Sequence, residues 1–192
     1  MRSLVYTGFV SLDGVVDSPG GGPGEEHRSG GWVVKDLEFV PEAWSLKGEE
    51  LTETTALMFG RRSYEAFAAV WPGSEDHAGY KELPKYVVST TLKDPAWNNS
   101  HVIDPHNLVD EVNRLKQEGD GLLAVHGSNT LIEALMEHDL VDEYRLMVFP
   151  VVLGWGKKLF QDGRPRADLK LTSSQPVGPD GVIVLTYEPA RG

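Results

Sequence analysis

Residues Leu122–Phe160, LLAVHGSNTLIEALMEHDLVDEYRLMVFPVVLGWGKKLF, decide the fold class of this chain. Leu122–Val125 is a short apolar run of strand length, and Tyr144–Val152 is a second buried run. Between these runs, apolar residues recur at helical spacing from Leu131 to Met136, which gives a helix one buried face. The stretch therefore predicts a strand, a helix and a strand, the repeating unit of an α/β sheet.

A tight turn, His126-Gly127-Ser128-Asn129, joins the first of these strands to the helix. Ser128 or Asn129 can cap the helix, and Gly127 would let the backbone approach a ligand closely. A helix that begins directly after a buried strand presents free N–H groups, and its dipole also favours an anion. The turn thus indicates a phosphate site, although the same turn is common in α/β proteins where it binds nothing.

A second strand–glycine–helix junction carries two arginines. Thr55–Phe59 is a buried strand, and Gly60-Arg61-Arg62-Ser63 turns from it into the next helix. The guanidinium group binds phosphate through a fork of donors, so paired arginines in an acidic chain suggest an anion. Solvated arginines at a helix end are the alternative, although a helix N-terminus is a poor place for a cation unless an anion joins it.

A third junction ends in hydroxyl side chains. Lys85–Ser89 is a short strand, and Ser89, Thr90 and Thr91 can bind ribose or phosphate or, equally, form a Ser/Thr turn. Ligands of open α/β sheets bind outside the carboxyl ends of the strands. We therefore expect the three junctions to meet at one rim of the sheet, where an extended nucleotide is the natural ligand.

The remaining elements complete an α/β pattern. They are the strands Leu4–Val10, His101–Ile103, Leu169–Val177 and Gly181–Glu188 and the helices Pro41–Glu53 and Asn107–Lys116, the latter capped by Asn107. The final two strands alternate around a glycine-rich turn and predict an antiparallel hairpin. The order of elements predicts a three-layer αβα sandwich with a mostly parallel mixed sheet.

A loop rich in glycine and proline, Ser18–Gly31, follows the first strand. A loop of this length is either a lid or binding loop or a surface excursion. Trp32, Val33, Phe39 and Trp44 come after the loop. These side chains can close over a flat ligand or belong to the core, and we favour the core.

The composition excludes several classes of function. The 192 residues suit one domain, 1–192, with a substantial core. The net charge of −11 argues against nucleic acid or an anionic membrane surface as a partner, and no run reaches transmembrane length. The chain has no cysteine, which excludes disulfides and thiolate metal sites and fits a cytoplasmic location. The histidines show no converging spacing, so we expect no metal site.

Four motifs follow one another in order at suitable spacing. SLDG comes after the first strand, GRRSYE comes after the second, and KYVVSTTL lies at the third. The fourth motif is the longest: it begins with HGSNTLIEAL and ends with GWGKKLF. Together they resemble the bacterial RibD C-terminal domain family, the dihydrofolate reductase-like relatives of the riboflavin-pathway reductase. The resemblance covers Leu4 to Tyr187 and implies a dihydrofolate reductase-like fold. Neither this family nor this chain carries the Rossmann fingerprint GxGxxG.

The resemblance implies NADPH as the cofactor. The arginine junction would meet phosphates, the hydroxyl junction would lie near the adenosine and its 2′-phosphate, and the turn at Gly127 would hold the pyrophosphate. The end of the first strand would approach the nicotinamide. The implied cofactor-binding residues are Val10, Gly14, Gly60, Arg61, Arg62, Ser63, Ser89, Thr90, Thr91, Gly127, Ser128, Asn129 and Thr130. Folate reductases have a cis peptide within a glycine pair at this turn, and the corresponding pair here reads His126-Gly127.

The implied chemistry is hydride transfer from NADPH to a polarised double bond of a small, heterocyclic substrate, as in 5-amino-6-(5-phosphoribosylamino)uracil reductase. Folate reductases carry a carboxylate in the helix before the GR motif. That position falls near Trp44 here, so folate is not the expected substrate. Asp13 is a candidate to supply a proton or to orient the substrate, and capping its own turn is its alternative role. The alternative function is an NADP(H)-binding or regulatory module without turnover.

The resemblance also implies a homodimer, for which the Tyr144–Val152 strand and the closing hairpin offer apolar surface. The loop Asp17–Gly31 is expected to be mobile without ligand and to order over the nicotinamide end. Trp32 would then cover a flat ring and help to exclude water from the hydride step.

Overall fold

The computed structural model of the chain describes residues 1–22, 27–34 and 41–190, without the side chains of residues 41, 44 and 76. Within these ranges the strands are Ser3–Ser11 (β1), Thr54–Gly60 (β2), Lys85–Val88 (β3), Ser100–Ile103 (β4), Leu122–Val125 (β5), Glu143–Phe149 (β6), Leu169–Val177 (β7) and Val182–Pro189 (β8). The α-helices are Pro41–Glu53 (α1), Arg61–Ala68 (α2), Leu108–Gln117 (α3) and Asn129–Glu137 (α4). Short 3-10 helices span Trp71–Gly73, Glu75–Tyr80 and Pro105–Asn107. Each strand and helix that the sequence predicts is therefore present.

The strands join in one mixed sheet in the order β4-β3-β2-β5-β1-β6-β8-β7. β2, β3, β4 and β5 pair in parallel, whereas β6, β8 and β7 pair antiparallel. The predicted α/β class, with a mixed sheet and a C-terminal hairpin, is confirmed. The chain divides into two compact units: Met1–Val5 with Glu49–Val141 form the first, and Tyr6–Gly48 with Asp142–Gly192 form the second.

The parallel strands of the first unit end at a common edge. Gly60 of β2 lies level with Val88 of β3, and Met58 of β2 lies level with Val125 of β5. Residues 56–59 of β2 have no exposed surface, as expected for a parallel strand covered on both faces. The common edge brings the carboxyl ends of these strands, and hence the three predicted junctions, to one side of the unit.

Phe59 is the centre of an aromatic cluster in the first unit. Its side chain has no exposed surface, and it directly precedes Gly60 in β2. Five neighbouring rings have centroids within 5.5–6.5 Å of the Phe59 ring, namely those of Phe67, Trp97, His126, Tyr64 and Trp71. We call these six residues the Phe59 cluster, and its packing supports the strand from which the Gly60 junction begins.

Two helix starts lack the side-chain caps that the sequence predicts. Asn107 precedes α3 but makes no capping bond, because the chain first forms a 3-10 turn in which Asp104 accepts from the N–H of His106 at 2.9 Å. Ser128 occupies the N-cap position of α4 without a side-chain cap, because its hydroxyl is directed at Gly60 instead. The predicted capping roles of Asn107 and Ser128 are therefore wrong.

Lys85, at the start of β3, is a fully buried lysine. Its ammonium donates to the carbonyls of Lys81 at 2.6 Å and Asn98 at 3.1 Å, and it lies 4.4 Å from the centroid of the Trp97 ring. Burial lowers the pKa of Lys85 to about 8, and the nearby Glu82 carboxylate offsets part of that effect. The charged form is thus less favourable in the folded protein than in water.

This lowered pKa predicts an unusual dependence of stability on pH. Below about pH 8 the ammonium is charged in both states, and its burial costs the folded protein free energy. Above that pH the folded protein releases the proton while the unfolded chain still holds it, so stability rises with pH. Between roughly pH 7 and pH 9.5, the free energy of unfolding of the native protein should rise by about 2 kcal/mol more than that of Lys85→Met. Urea unfolding at both pH values measures this difference, and exposed Lys81→Met is the matched control. Parallel pH profiles for native protein and Lys85→Met would contradict the prediction.

The second unit contains the antiparallel part of the sheet. Tyr144 of β6 lies level with Tyr187 of β8, and Val177 of β7 lies level with Val182 of β8. β6 ends at Phe149, three residues earlier than predicted, because Pro150 has no N–H to donate to the ladder.

None of the helices in the described part of the chain combines the length and the apolar content that crossing a bilayer would take.

Trp32 and Val33 belong to the core of the second unit, each with 1% of its surface exposed. The Trp32 ring meets Phe149 edge to face with centroids 5.7 Å apart, and its indole N–H donates to the Asp17 carbonyl at 2.9 Å. The interpretation of these two residues as core is confirmed. Trp32 therefore cannot cover a ligand ring, and that part of the lid hypothesis is wrong. Phe39, the Trp44 side chain and Gly24 of the loop lie outside the described residues.

Candidate functional site

Two glycines bring the junctions after β2 and β5 into contact. The N–H of Gly60 donates to the carbonyl of Gly127 at 3.0 Å. Gly60 is both the last residue of β2 and the N-cap position of α2, and Gly127 comes just before the N-cap of α4. The N-termini of α2 and α4 therefore lie on either side of one backbone hydrogen bond.

A side chain on either glycine would meet a serine hydroxyl. A Cβ atom on Gly60 would overlap the hydroxyl of Ser128, and a Cβ atom on Gly127 would lie 2.8 Å from Oγ of Ser63. Gly127 also has a φ of +116°, which L side chains rarely adopt. The Ser63 and Ser128 hydroxyls therefore face the glycine pair. We call these four residues, all of them predicted from the sequence, the glycine cradle.

The cradle presents hydrogen-bond donors. Across the described residues, the hydroxyls of Ser63 and Ser128 take part in no hydrogen bond. Neither α2 nor α4 has a side-chain cap on its first N–H groups, and such groups need an acceptor. N–H groups without a side-chain cap, two hydroxyls and the positive ends of two helix dipoles together make a site suited to an anion.

The turn before α4 contains a cis peptide bond between Gly127 and Ser128. The pair that matches the family's glycine pair was His126-Gly127, so the cis bond lies one residue later than that pair. Asn129 and Thr130, the other predicted residues of this turn, form the first turn of α4. Asn129 is half-buried and Thr130 is exposed.

The two arginines after Gly60 differ in their partners. Arg61 donates to the carboxylate of Glu65 at 2.9 Å and to the hydroxyl of Thr91 at 2.7 Å. The second bond joins the start of α2 to the loop after β3, so the arginine and hydroxyl junctions meet as predicted. Arg62 is exposed, and its guanidinium has no hydrogen bond or ion pair among the residues that the structure describes. Both cations stand at a helix N-terminus, where only an anion makes their charge favourable.

Ser89 mainly organises its own turn. Its hydroxyl accepts from the N–H groups of Thr91 at 3.1 Å and Leu92 at 3.0 Å, and the residue is 8% exposed. This geometry matches the Ser/Thr turn that was the alternative interpretation of this segment. Thr90 and Thr91 are exposed, so the turn presents their side chains at the surface next to Arg61.

Val10, Asp13 and Gly14 belong to the second unit, at the end of β1 and in the turn after it. Val10 is 6% exposed, and Gly14 has a φ of +85°. The Asp13 carboxylate accepts from the N–H groups of Leu153 at 3.1 Å and Gly154 at 2.7 Å. Asp13 therefore does more than cap its own turn, because it also holds the loop that follows β6.

These hydrogen bonds also set the charge of Asp13. Desolvation raises its pKa, but bonds from the Ser11 hydroxyl and from the N–H groups of Gly154 and Leu153 outweigh that effect. The pKa of Asp13 consequently lies below its ordinary value, and the carboxylate is ionised near neutral pH. An ionised carboxylate whose oxygens already accept hydrogen bonds is a poor proton donor, which favours a positioning role for Asp13.

Lys47 is a candidate functional residue that the sequence analysis did not identify. It lies on α1, is half-buried, and donates to the Thr7 hydroxyl on β1 at 2.5 Å. Its ammonium is 5.5 Å from the centroid of the Phe9 ring. Lys47 comes three residues after Trp44, where the family's helix carboxylate falls, and residues three apart share one helix face. That spacing was the signal that could have identified it.

Comparisons with known proteins place these features in a family context. A family model described as the RibD C-terminal domain matches residues 2–183. Among curated proteins, YyaP of Bacillus subtilis (strain 168), described as an uncharacterized protein, is 29% identical over 97% of this chain and 94% of its own length.

Two solved structures share the fold. One, from Shewanella sp. PV-4 and named for riboflavin biosynthesis, superposes with a TM-score of 0.74 at 20% identity and covers 99% of this chain and 100% of that one. The other is the dihydrofolate reductase of Enterococcus faecalis complexed with NADP(H), with a TM-score of 0.62 at 13% identity over 98% of this chain and 97% of that one. At such identities the likeness establishes the fold alone.

Proposed function

This chain belongs to the RibD C-terminal domain family, and from that premise we propose that it is an NADPH-dependent reductase of a small heterocyclic substrate related to 5-amino-6-(5-phosphoribosylamino)uracil. The glycine cradle is the observation that carries the proposal, because its donors suit a pyrophosphate. Membership of this family and the dihydrofolate reductase among the fold neighbours support an oxidoreductase over other uses of such a cradle.

When bound, NADPH supplies a hydride to the double bond of the substrate. In this proposal the cradle and the first turn of α4, with Asn129 and Thr130, bind the pyrophosphate. The Ser63 and Ser128 hydroxyls donate to it, and the absence of side chains on both glycines lets the backbone come close. These groups bind and orient the cofactor, and no proton transfer is assigned to them.

The adenosine end is proposed to lie at the meeting of α2 with the loop after β3. Arg61 and Thr91 already share a hydrogen bond there, and Arg62 and Thr90 are exposed beside them. Ser89 contributes by shaping the turn that presents the two threonines. A 2′-phosphate would pair with Arg61 in place of Glu65, because the exposed ion pair between Arg61 and Glu65 is weak.

Arg61→Ala is expected to weaken NADPH binding by about 1–3 kcal/mol, the scale of a lost charge-assisted hydrogen bond. NADH binding should change much less, because NADH lacks the 2′-phosphate. Calorimetric titration with both cofactors measures the two affinities. Arg114→Ala is the matched control, since Arg114 is another exposed arginine of the first unit that pairs with glutamates three and four residues away. Equal losses for NADPH and NADH would sink the assignment of Arg61 to the 2′-phosphate.

The nicotinamide end is proposed to meet Val10 and Gly14, with Asp13 as a positioning residue that holds the loop at Leu153 and Gly154. The Asp13 carboxylate is ionised and already accepts hydrogen bonds, so this turn has no proton donor. That state favours the alternative function, an NADP(H)-binding or regulatory module. Turnover of NADPH against pterins, pyrimidines and quinones separates the two functions. Cofactor binding without oxidation by any of these acceptors would favour the module.

We further propose that the protein acts as a homodimer. β7 stands at one end of the strand order, and its Leu171 is 49% exposed. Ile183 on the neighbouring β8 is 40% exposed. Edge strands with apolar side chains are surfaces that pair with another chain. Light scattering at micromolar concentration should give twice the monomer mass, and Leu171→Lys should lower it. A monomer at that concentration would count against the dimer.

The single domain over 1–192 and the cytoplasmic location stay predictions.

A further inference from the structure

Trp155 is an exposed aromatic side chain that the second unit holds rigidly. More than half of its surface, 57%, is exposed. One ring contact is to His27, with centroids 5.0 Å apart and planes 29° from parallel. A single exposed aromatic residue is ordinary, so the contacts that order Trp155 and the apolar surface around it are the informative features.

His27 fixes the position of Trp155 through hydrogen bonds as well as stacking. The imidazole is 7% exposed, and its Nε2 lies 2.7 Å from the carbonyl of Trp155. The N–H of Ser29 donates to Nδ1 at 3.0 Å, so Nδ1 accepts and Nε2 carries the proton that it donates to Trp155. A neutral imidazole satisfies both contacts at once, and the indole rests on a buried, fully bonded support.

The backbone on either side of Trp155 is held too. Asp13 binds the N–H of Gly154, and Gly156 has no room for a Cβ atom, which would lie 2.9 Å from Nε2 of His27. Val16 donates to the carbonyl of Lys157 at 2.9 Å. The indole is therefore preorganised, and a ligand that stacks on it would lose little entropy in ordering it.

The surroundings of Trp155 select the class of ligand. Arg28 is exposed, and its guanidinium carbon lies over the indole ring, 5.8 Å from the ring centroid. Lys157 and Lys158 follow in the chain and are exposed as well, in a protein of net charge −11. Leu12 and Val152, 66% and 67% exposed, add apolar surface, and the N–H of Leu12 binds the carbonyl before Val152. An indole with a guanidinium over it suits a planar ring that carries an anionic group, because that group would draw Arg28 off the ring as the ligand stacks.

We propose that Trp155 is a stacking platform for the ring of a planar, anionic heteroaromatic ligand, with Arg28 attracting the anionic group. The identification of this ligand with the substrate rests on the proposed function, whereas binding at Trp155 does not. Trp155 acts as a specificity-determining residue, since stacking selects flat rings and Arg28 selects those that carry negative charge. Two copies of the chain are disfavoured as mutual occupants, because each would bring the same cations to the contact.

Calorimetry with three probes tests this proposal on the full chain. Flavin mononucleotide combines a planar ring with a phosphate, riboflavin keeps the ring alone, and ribitol 5-phosphate keeps the phosphate alone. We expect flavin mononucleotide to bind best and ribitol 5-phosphate worst. Trp155→Leu should weaken flavin mononucleotide binding roughly 10- to 100-fold, whereas Trp155→Phe should retain most of it, because stacking requires a ring and not only apolar area.

Two further variants complete the test. Arg28→Gln should weaken flavin mononucleotide and leave riboflavin nearly unchanged, and Phe160→Ala, at another exposed aromatic of the second unit, should leave all three affinities unchanged. The proposal is overturned if the native protein does not bind flavin mononucleotide at about millimolar concentration, if Trp155→Leu binds it as well as native, or if Trp155→Leu changes only the oligomeric mass. NADPH affinity, measured separately on the same variants, should not change. Its absence in the native protein would defeat the proposed function without affecting the stacking test.

Discussion

Replacing Gly60 by alanine is expected to reduce NADPH affinity more than a hundredfold. The backbone of Gly60 has φ of −77° and ψ of 160°, which alanine adopts readily, so the cost comes from space alone. The added methyl would overlap the Ser128 hydroxyl and push apart the two helix N-termini that the Gly60–Gly127 hydrogen bond holds together. Losing two or more charge-assisted hydrogen bonds costs about 3–5 kcal/mol, which corresponds to more than two decades in affinity.

Two comparisons make the result specific. Gly73→Ala, at a glycine of the same unit with open space around it, should leave NADPH affinity unchanged. Combining Gly60→Ala with Ser128→Gly removes the overlapping hydroxyl, so it should restore part of the affinity and leave a deficit equal to the lost Ser128 donor. Calorimetric titration measures all three variants. Native affinity in Gly60→Ala would show that the cofactor does not use the cradle.

Truncating Phe59 to alanine should lower the free energy of unfolding by about 3–5 kcal/mol, the usual cost of removing a buried phenylalanine ring. The ring has no exposed surface and stands among the five other rings of the Phe59 cluster. These large, stiff neighbours cannot collapse easily into the space, so the cost should fall toward the upper end. A loss of this size is a large fraction of the free energy of unfolding of an ordinary domain.

Urea denaturation measures this loss as a shift of the midpoint at constant slope. Phe160→Ala is the matched control, because 46% of Phe160 is exposed and its truncation should cost less than about 1 kcal/mol. Since Phe59 directly precedes Gly60, the folded fraction of Phe59→Ala should also bind NADPH less tightly. A loss of stability no larger than that of Phe160→Ala would mean that the cluster does not support β2.

The sequence by itself determined the elements and their order. Apolar runs such as Leu122–Val125 and helical spacing such as 131–136 are local patterns, and local burial is what they report. Because parallel strands end at one edge, the same patterns also predicted that the residues after Gly60 and Gly127 meet. The hydrogen bond between these two glycines and the contact of Arg61 with Thr91 agree with that prediction.

Only the tertiary structure decided which partner each polar side chain takes. Asp13 binds the N–H of Gly154, 141 residues away, and His27 binds the carbonyl of Trp155, 128 residues away. Trp32 could have covered a ligand by its sequence position, yet it fills the core against Phe149. A periodic pattern states that a side chain is buried or exposed but does not name its neighbour. The neighbour is chosen when distant segments pack, because each buried donor and acceptor must then find the partner that the closed chain places within reach.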